Sequence, residues 1–253
     1  MFEATATWAE NHVYPEIDDY LFYVKSFAAQ PGRPITEVTA ARRLRIYGSA
    51  VWNHWLDSGG GGFGVATVRS AWELGGQVKP RDNAIAAYDA AIRNAGGRGF
   101  AREFVRFAAA TAEWRTGFGG FVDSDRYPDV KRQGAVSRGQ SERTQIDHIG
   151  YRLVEVRVGS GREVELEVRV DAGVRSGIAL IGRRGAADTG EVAAETRYLP
   201  AGGKARLSLK SPGSFNRITA VLINADGRVT GRDRSGAWIY SRDAAQFEFA
   251  LNR

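Results

Sequence analysis

The side chains that most often perform chemistry are few and far apart in this sequence. It contains no cysteine, which excludes a thiolate metal site, a cysteine nucleophile and a disulfide framework. Its three histidines are His12, His54 and His148, and none has the i, i+4 partner that places two imidazoles on one helix face. The sequence therefore has no local histidine metal motif, and we interpret His54, which lies among tryptophans, as a packed side chain.

Three other local patterns do not support a ligand site or a nucleophile. Glycines within 59–64 match the G-x-G-x-x-G spacing, but a helical pattern precedes them where a dinucleotide site needs a strand, so we predict an interhelix loop. Asp123 and Asp125 resemble the start of a calcium loop, yet Pro128 occupies the position that an EF-hand reserves for glycine. No G-x-S-x-G motif marks a nucleophilic serine.

Charge and hydropathy exclude several classes of partner. The chain has 35 Lys and Arg against 29 Asp and Glu, a net charge of +6, and this mild excess is spread along the sequence. We therefore expect no nucleic-acid partner. No apolar stretch is long enough to predict a membrane span, and residues 1–20 lack the basic-then-apolar order of a signal peptide.

The first part of the chain has the spacing of amphipathic helices. Up to about Trp114 apolar residues recur every three or four positions, as in the run that contains Leu44, Tyr47, Val51 and Trp55. Proline and glycine clusters separate these runs. The pattern predicts an all-helical lobe of about six helices at residues 1–116.

Beyond a stretch rich in Gly, Ser, Asp and Arg, the hydrophobic period changes to two. We predict a linker at 117–144, and then about eight strands at 145–253, with a clear apolar and polar alternation over 164–170. No helical pattern separates these strands, which favours an antiparallel β-sandwich. The predicted fold class is α+β, an N-terminal helical lobe followed by a C-terminal sandwich.

The first segment carries a family resemblance. FEATATWAEN at residues 2–11, followed by VYPEIDDY at 13–20, resembles the second metal-binding helix of gluzincin-type zinc metallopeptidases, especially large secreted bacterial members. In those proteins an E-[AG]-[TS]-A-x-W-x-E helix follows an H-E-x-x-H helix. The resemblance extends over most of the chain, through residues 47–49, 68–73, 100–107, 218–226 and 238–240. It implies that residues 1–116 correspond to the C-terminal subdomain of such a peptidase.

The resemblance assigns roles to three residues. It implies that Glu3 is the third zinc ligand, beside the two histidines of H-E-x-x-H, and that the zinc-bound water attacks a peptide carbonyl. The resemblance places Glu10, two turns after Glu3, either near the metal ligands or in solvent. It also implies that Tyr47 stabilises the oxyanion. The residue patterns leave other interpretations open: acidic residues stabilise the first turn of a helix, and Tyr47 packs between helices.

The sequence departs from the family at a decisive point, because it contains no H-E-x-x-H. One carboxylate cannot hold a catalytic zinc, so we expect this chain alone to bind no zinc and to cleave no peptide. We expect it to be the C-terminal portion of a secreted zinc metallopeptidase, located outside the cell or in the cell envelope, with a peptide or protein substrate. A natural truncation, a split gene and a misplaced start all remain open.

A second hypothesis assigns no enzymatic function to the chain. In it the β-sandwich is a binding or adhesion module for a surface glycan or protein, and the helices are a scaffold. Trp238 and Tyr240 have the spacing to share one strand face, as in a carbohydrate-binding platform, although core packing would also explain them. The sequence leaves the substrate, the sandwich ligand and the oligomeric state open.

Overall fold

A computed structural model describes residues 1–37, 43–159 and 161–252 and divides the chain into two compact units. The helical unit comprises Met1–Pro31, Ile35–Lys131 and Ala187–Thr189, and the β unit comprises Gly32–Pro34, Arg132–Ala186 and Gly190–Arg253. Helices thus form the N-terminal part of the chain and mainly antiparallel sheets the C-terminal part. This arrangement confirms the predicted α+β class.

The described part of the helical unit contains seven α-helices. Their bounds are α1 Phe2–Val13, α2 Asp19–Ala28, α3 Arg43–Gly48, α4 Ala50–Asp57, α5 Val65–Gly75, α6 Ala84–Asn94 and α7 Phe100–Ala110. The count exceeds the predicted six because the run from Leu44 to Trp55 divides into α3 and α4 at Ser49. Asn83 caps α6, since its side-chain oxygen accepts a hydrogen bond from the Ala86 amide at 2.9 Å.

Aromatic rings from α4 and α7 form the centre of the helical core. The Trp52 ring lies 5.2 Å from Phe100 and 5.3 Å from Phe107, and all three side chains are fully buried. Each such ring contributes roughly 1.5–3 kcal/mol through removal of apolar surface from water. The glycines at 59–64 form the predicted loop between α4 and α5. A Cβ on Gly60 would lie 2.3 Å from the Gly119 carbonyl oxygen, so only glycine permits this close backbone approach.

Eleven strands are found in the described residues. They are β1 Arg132–Ser137, β2 Ser141–Ile146, β3 Gly150–Arg157, β4 Glu163–Val170, β5 Ser176–Arg184, β6 Glu191–Leu199, β7 Gly203–Lys210, β8 Arg217–Asn224, β9 Val229–Arg232, β10 Trp238–Tyr240 and β11 Ala245–Leu251. One sheet has the order β1-β3-β8-β5-β6, another β2-β11-β4-β7, and β9 and β10 form a separate hairpin. All pairs are antiparallel except β1 with β3.

The two larger sheets share one hydrophobic core, which makes the β unit a sandwich. Leu166 and Val168 of β4, Leu180 of β5 and Phe247 of β11 all belong to this core and are at most 1 % exposed. The alternate residues of β4, beginning with Glu163, point to the opposite face of the sheet. The alternation seen in the sequence therefore describes β4 correctly.

The segment 117–144, predicted to be a linker, contains regular structure. It includes a 3₁₀ turn at Ser124–Arg126, all of β1 and most of β2. Both strands lie at sheet edges and bury few side chains: Val136 is the only fully buried residue of β1, and β2 buries Thr144 and Ile146. A hydrophobic alternation this short gives no clear period-two signal. For the same reason the short strand β9, which has no fully buried residue, is not indicated by the sequence.

Candidate functional site

Helix α1 presents Glu3 and Glu10 on its exposed side. Glu3, Ala6 and Glu10 follow the i, i+3, i+7 spacing that places residues on one side of a helix, and all three are exposed. On the opposite side Ala4 and Trp8 are buried, and α1 packs against α3 and α4. The helix therefore has one anchored face and one face that displays two carboxylates.

A buried hydrogen-bonded triangle anchors the beginning of α1. The Tyr88 hydroxyl donates to the Asn53 side-chain oxygen at 2.7 Å, the Asn53 amide donates to the Thr5 hydroxyl at 3.3 Å, and the Thr5 and Tyr88 hydroxyls lie 3.3 Å apart. Burial raises the pKa of Tyr88 to about 12, so its hydroxyl stays neutral and remains a donor. Because all three side chains are buried, loss of one member leaves polar atoms unsatisfied. These hydrogen bonds fix the position of Thr5, which lies two residues after Glu3 in the same helix.

The Glu3 carboxylate forms no side-chain hydrogen bond or ion pair among the described residues, but its charge interacts with the α-amino group of Met1. The backbone oxygen of Glu3 accepts a hydrogen bond from the Thr7 hydroxyl at 2.9 Å. The carboxylate lies in the first turn of α1, where the helix dipole favours a negative charge. This position fits both the zinc-ligand role and the helix-end role considered for Glu3.

Glu10 lies farther along the same side of α1. Seven residues correspond to a rise of about 10 Å along the helix axis, so Glu10 does not belong to the immediate surroundings of Glu3. No hydrogen bond or ion pair joins Glu10 to Glu3 or to Tyr47 within the described ranges. The assignment of Glu10 to a position near the metal stays a prediction.

Tyr47 occupies a packed position at the end of α3. Its ring is half-buried and lies 5.1 Å from the ring of Tyr23, which in turn lies 5.6 Å from that of Phe22. Across residues 1–37, 43–159 and 161–252, Tyr47 forms no hydrogen bond with Glu3 or Glu10. These contacts agree with the packing interpretation, and the oxyanion role stays a prediction.

The acidic and histidine side chains of the described residues do not complete a metal site. No group of three or more His, Asp or Glu side chains there has an arrangement that could hold a metal ion. Glu3 is thus a single potential ligand, and the residues present do not fit a whole zinc site. No catalytic step through zinc follows for the described chain.

A buried histidine lies near the end of α1. The ring of His54 is 4.4 Å from that of Tyr20, and its Nε2 atom is buried without a hydrogen-bond partner. Burial, followed by the nearby charge of His12, lowers the pKa of His54 to about 4, so its ring is neutral at pH 7. His12 itself lies 3.9 Å from Asp57. These contacts confirm the packed interpretation of His54, but no local pattern in the sequence indicates the change in its pKa.

The aromatic pair of the β unit is already in contact with other side chains. Trp238 and Tyr240 lie on the β9–β10 hairpin and are half-buried. The guanidinium of Arg232 lies 3.9 Å from the centre of the Trp238 ring, and His148 stacks on Tyr240 with 3.5 Å between ring centres. One face of each ring is therefore covered, and the role of the pair as a carbohydrate-binding platform stays a prediction.

Comparisons with known proteins show little similarity. No protein-family model matches the sequence, and no curated protein matches it. Among solved structures, the chain is similar to the pre-peptidase C-terminal domain of a collagenase from Bacillus anthracis, with 9% identity and a TM-score of 0.31 over 48% of this chain and 97% of that chain. A similarity this weak carries no argument about function. None of the described helices has the length and apolar character needed to cross a membrane.

Proposed function

We propose that the helical unit supplies Glu3 as a carboxylate ligand to the zinc site of a metallopeptidase. The observation that carries this proposal is the exposed carboxylate of Glu3, which forms no side-chain hydrogen bond among the described residues, on a helix whose opposite face is fixed in the core. The resemblance of residues 2–11 to the second metal-binding helix of gluzincins supplies the identity of the metal. The chain is then the C-terminal portion of a peptidase that acts outside the cell or in the cell envelope.

The contribution of this chain is to position a ligand. A zinc ion bound in such a site polarises a peptide carbonyl and lowers the pKa of its bound water. The triangle of Thr5, Asn53 and Tyr88 limits movement of the first turn of α1 and therefore of Glu3. The histidine ligands and the general base of H-E-x-x-H are absent from this sequence, so we propose that the 253-residue chain alone has no peptidase activity.

Exposed apolar side chains at the end of α1 and in the residues that follow it also support a role as part of a larger site. Val13 is 64 % exposed, Tyr14 is 54 % exposed, and Phe22 in α2 is 61 % exposed. Large apolar side chains clustered along one segment are typical of surfaces that contact another protein part. We propose that the part carrying the H-E-x-x-H helix covers this segment.

The proposal is tested on the polypeptide that the native host makes. We expect an intact mass well above 27.6 kDa, an upstream H-E-x-x-H, and hydrolysis of an unstructured protein such as casein. Glu3→Gln should abolish hydrolysis, because the amide is a poor zinc ligand. Glu191→Gln removes the same charge from an exposed position in the β unit and should keep full activity. A native product of 27.6 kDa, or an active Glu3→Gln enzyme, would overturn the proposal.

A further inference from the structure

The outer face of the sheet β2-β11-β4-β7 carries an unbalanced row of charges. Glu248 of β11 lies opposite Arg143 of β2 on one side and opposite Arg169 of β4 on the other. Arg169 in turn lies opposite Lys204 of β7. The row across the four strands is therefore a cation, a carboxylate and two cations, and it spans about 14 Å at the usual spacing between strands.

The pair of Arg169 and Lys204 differs from its neighbours along the same two strands. There Glu167 faces Arg206, with 2.9 Å between their charged groups, and Glu163 faces Lys210. Opposite charges directly across a strand pair stabilise a sheet, and like charges destabilise it. Glu248 lies 3.4 Å from Arg143, and the charges of Arg169 and Lys204 also interact with Glu167, the next residue on this face of β4. The four residues of the row themselves have a net charge of +2, which favours an anionic ligand.

The charged row lies in a groove with room for a ligand. The groove measures about 750 Å³, is open to solvent, and is lined by the four residues of the row together with Asp171, Gln246 and their neighbours. With the carboxylate of Asp171 counted, the lining has a net charge of +1. An open groove across several strands suits a length of polymer better than a small enclosed molecule. The cations Arg169 and Lys204 are exposed within it.

We propose that this groove binds an acidic polysaccharide. The three cations of the row bind its carboxylate or sulfate groups, and Glu248 and Gln246 form hydrogen bonds with its hydroxyl groups. A carboxylate within the row disfavours a ligand with anionic groups alone, but it accepts hydrogen bonds from sugar hydroxyls. The ring of Phe247 is fully buried, so it offers no surface on which a nucleic-acid base could stack. This proposal concerns the β unit and does not depend on the zinc proposal.

The test measures binding of the purified chain to defined polymers. Heparin carries sulfates, alginate carries only carboxylates, and dextran is neutral; polyglutamate and single-stranded DNA represent the other classes of polyanion. We expect binding to heparin or alginate that weakens with salt, and no binding to dextran. Heparin and alginate together distinguish sulfate from carboxylate recognition. Tighter binding to polyglutamate or DNA, or no binding to either acidic polysaccharide, would overturn the proposal.

Matched variants locate the binding site. Arg169→Gln and Lys204→Gln should each weaken binding to the preferred polysaccharide about fivefold to tenfold, and the double variant should weaken it further. Lys210→Gln removes the same charge from the far end of β7, where the cation faces Glu163, and should bind like the wild type. Glu248→Gln removes the carboxylate of the row. It should weaken binding less than Lys204→Gln does. An equal loss in Lys210→Gln and Lys204→Gln would show attraction to net charge alone and would overturn the assigned site.

Discussion

Acidification should destabilise the helical unit through His54. A histidine with a pKa of about 4 in the folded chain and 6.5 in the unfolded chain binds its proton more readily after unfolding. The stability that depends on the neutral ring is therefore fully present above pH 6.5, decreases as the pH falls, and is lost below about pH 4. The gap between the two pKa values corresponds to about 3 kcal/mol, of which about 2 kcal/mol is lost between pH 7 and pH 5.

The structural reason for this loss is the surroundings of the ring. His54 is 7 % exposed, its Nε2 has no acceptor, and the nearest ionisable neighbours, His12 and Tyr20, offer no negative charge at these pH values. A proton on His54 would therefore be buried without compensation.

Urea unfolding at a series of pH values measures the effect. In a Trp238→Phe background the remaining tryptophans, Trp8, Trp52, Trp55, Trp72 and Trp114, all lie in the helical unit, so fluorescence reports its unfolding. His54→Leu replaces the ring with an apolar side chain and should lose about 2 kcal/mol less than its parent between pH 7 and pH 5. Equal losses in the two proteins would refute the reasoning, as would an NMR titration of His54 near pH 6.5.

Three further substitutions and one control substitution test the packing of the two units. Gly60→Ala should destabilise the helical unit by about 1–3 kcal/mol in urea unfolding, since its Cβ would meet backbone 2.3 Å away, whereas Gly75→Ala, with open space around its Cβ, should be neutral or slightly stabilising. Tyr88→Phe should cost about 1–3 kcal/mol, because Asn53 loses its donor; an unchanged midpoint would contradict this. Asp226→Asn should cost the β unit about 1.5–3 kcal/mol by circular dichroism, because this fully buried carboxylate accepts hydrogen bonds from backbone amides and a guanidinium.

The elements with a strong hydrophobic period could be predicted from the sequence. The alternation of β4 and the helical spacing of α7 each bury one complete face, so burial imposes its period on the residue order. The edge strands β1 and β2 bury too few side chains to do so. Their positions depend on pairing with β3 and β11. The residues of β1 and β2 alone do not indicate these pairings.

The candidate sites depend even more on tertiary structure. Glu3 could be singled out by its resemblance to a metal-binding helix, and its exposure agrees with the helical spacing of its neighbours. The triangle under α1 joins Thr5 to Asn53 and Tyr88, residues that only folding brings together. Likewise, the like-charged pair Arg169 and Lys204 becomes visible only with the register of β4 and β7. Local patterns contain no information on such pairings.

The zinc content of the native protein tests the role of Glu3 most directly. The protein purified from its own host, and its Glu3→Gln and Glu191→Gln variants, would be dialysed against metal-free buffer and their bound zinc counted per chain. We predict stoichiometric zinc in the wild type and in Glu191→Gln, and loss of zinc in Glu3→Gln. Equal zinc in all three proteins, or a wild type without zinc, would contradict the assignment of Glu3 as a zinc ligand.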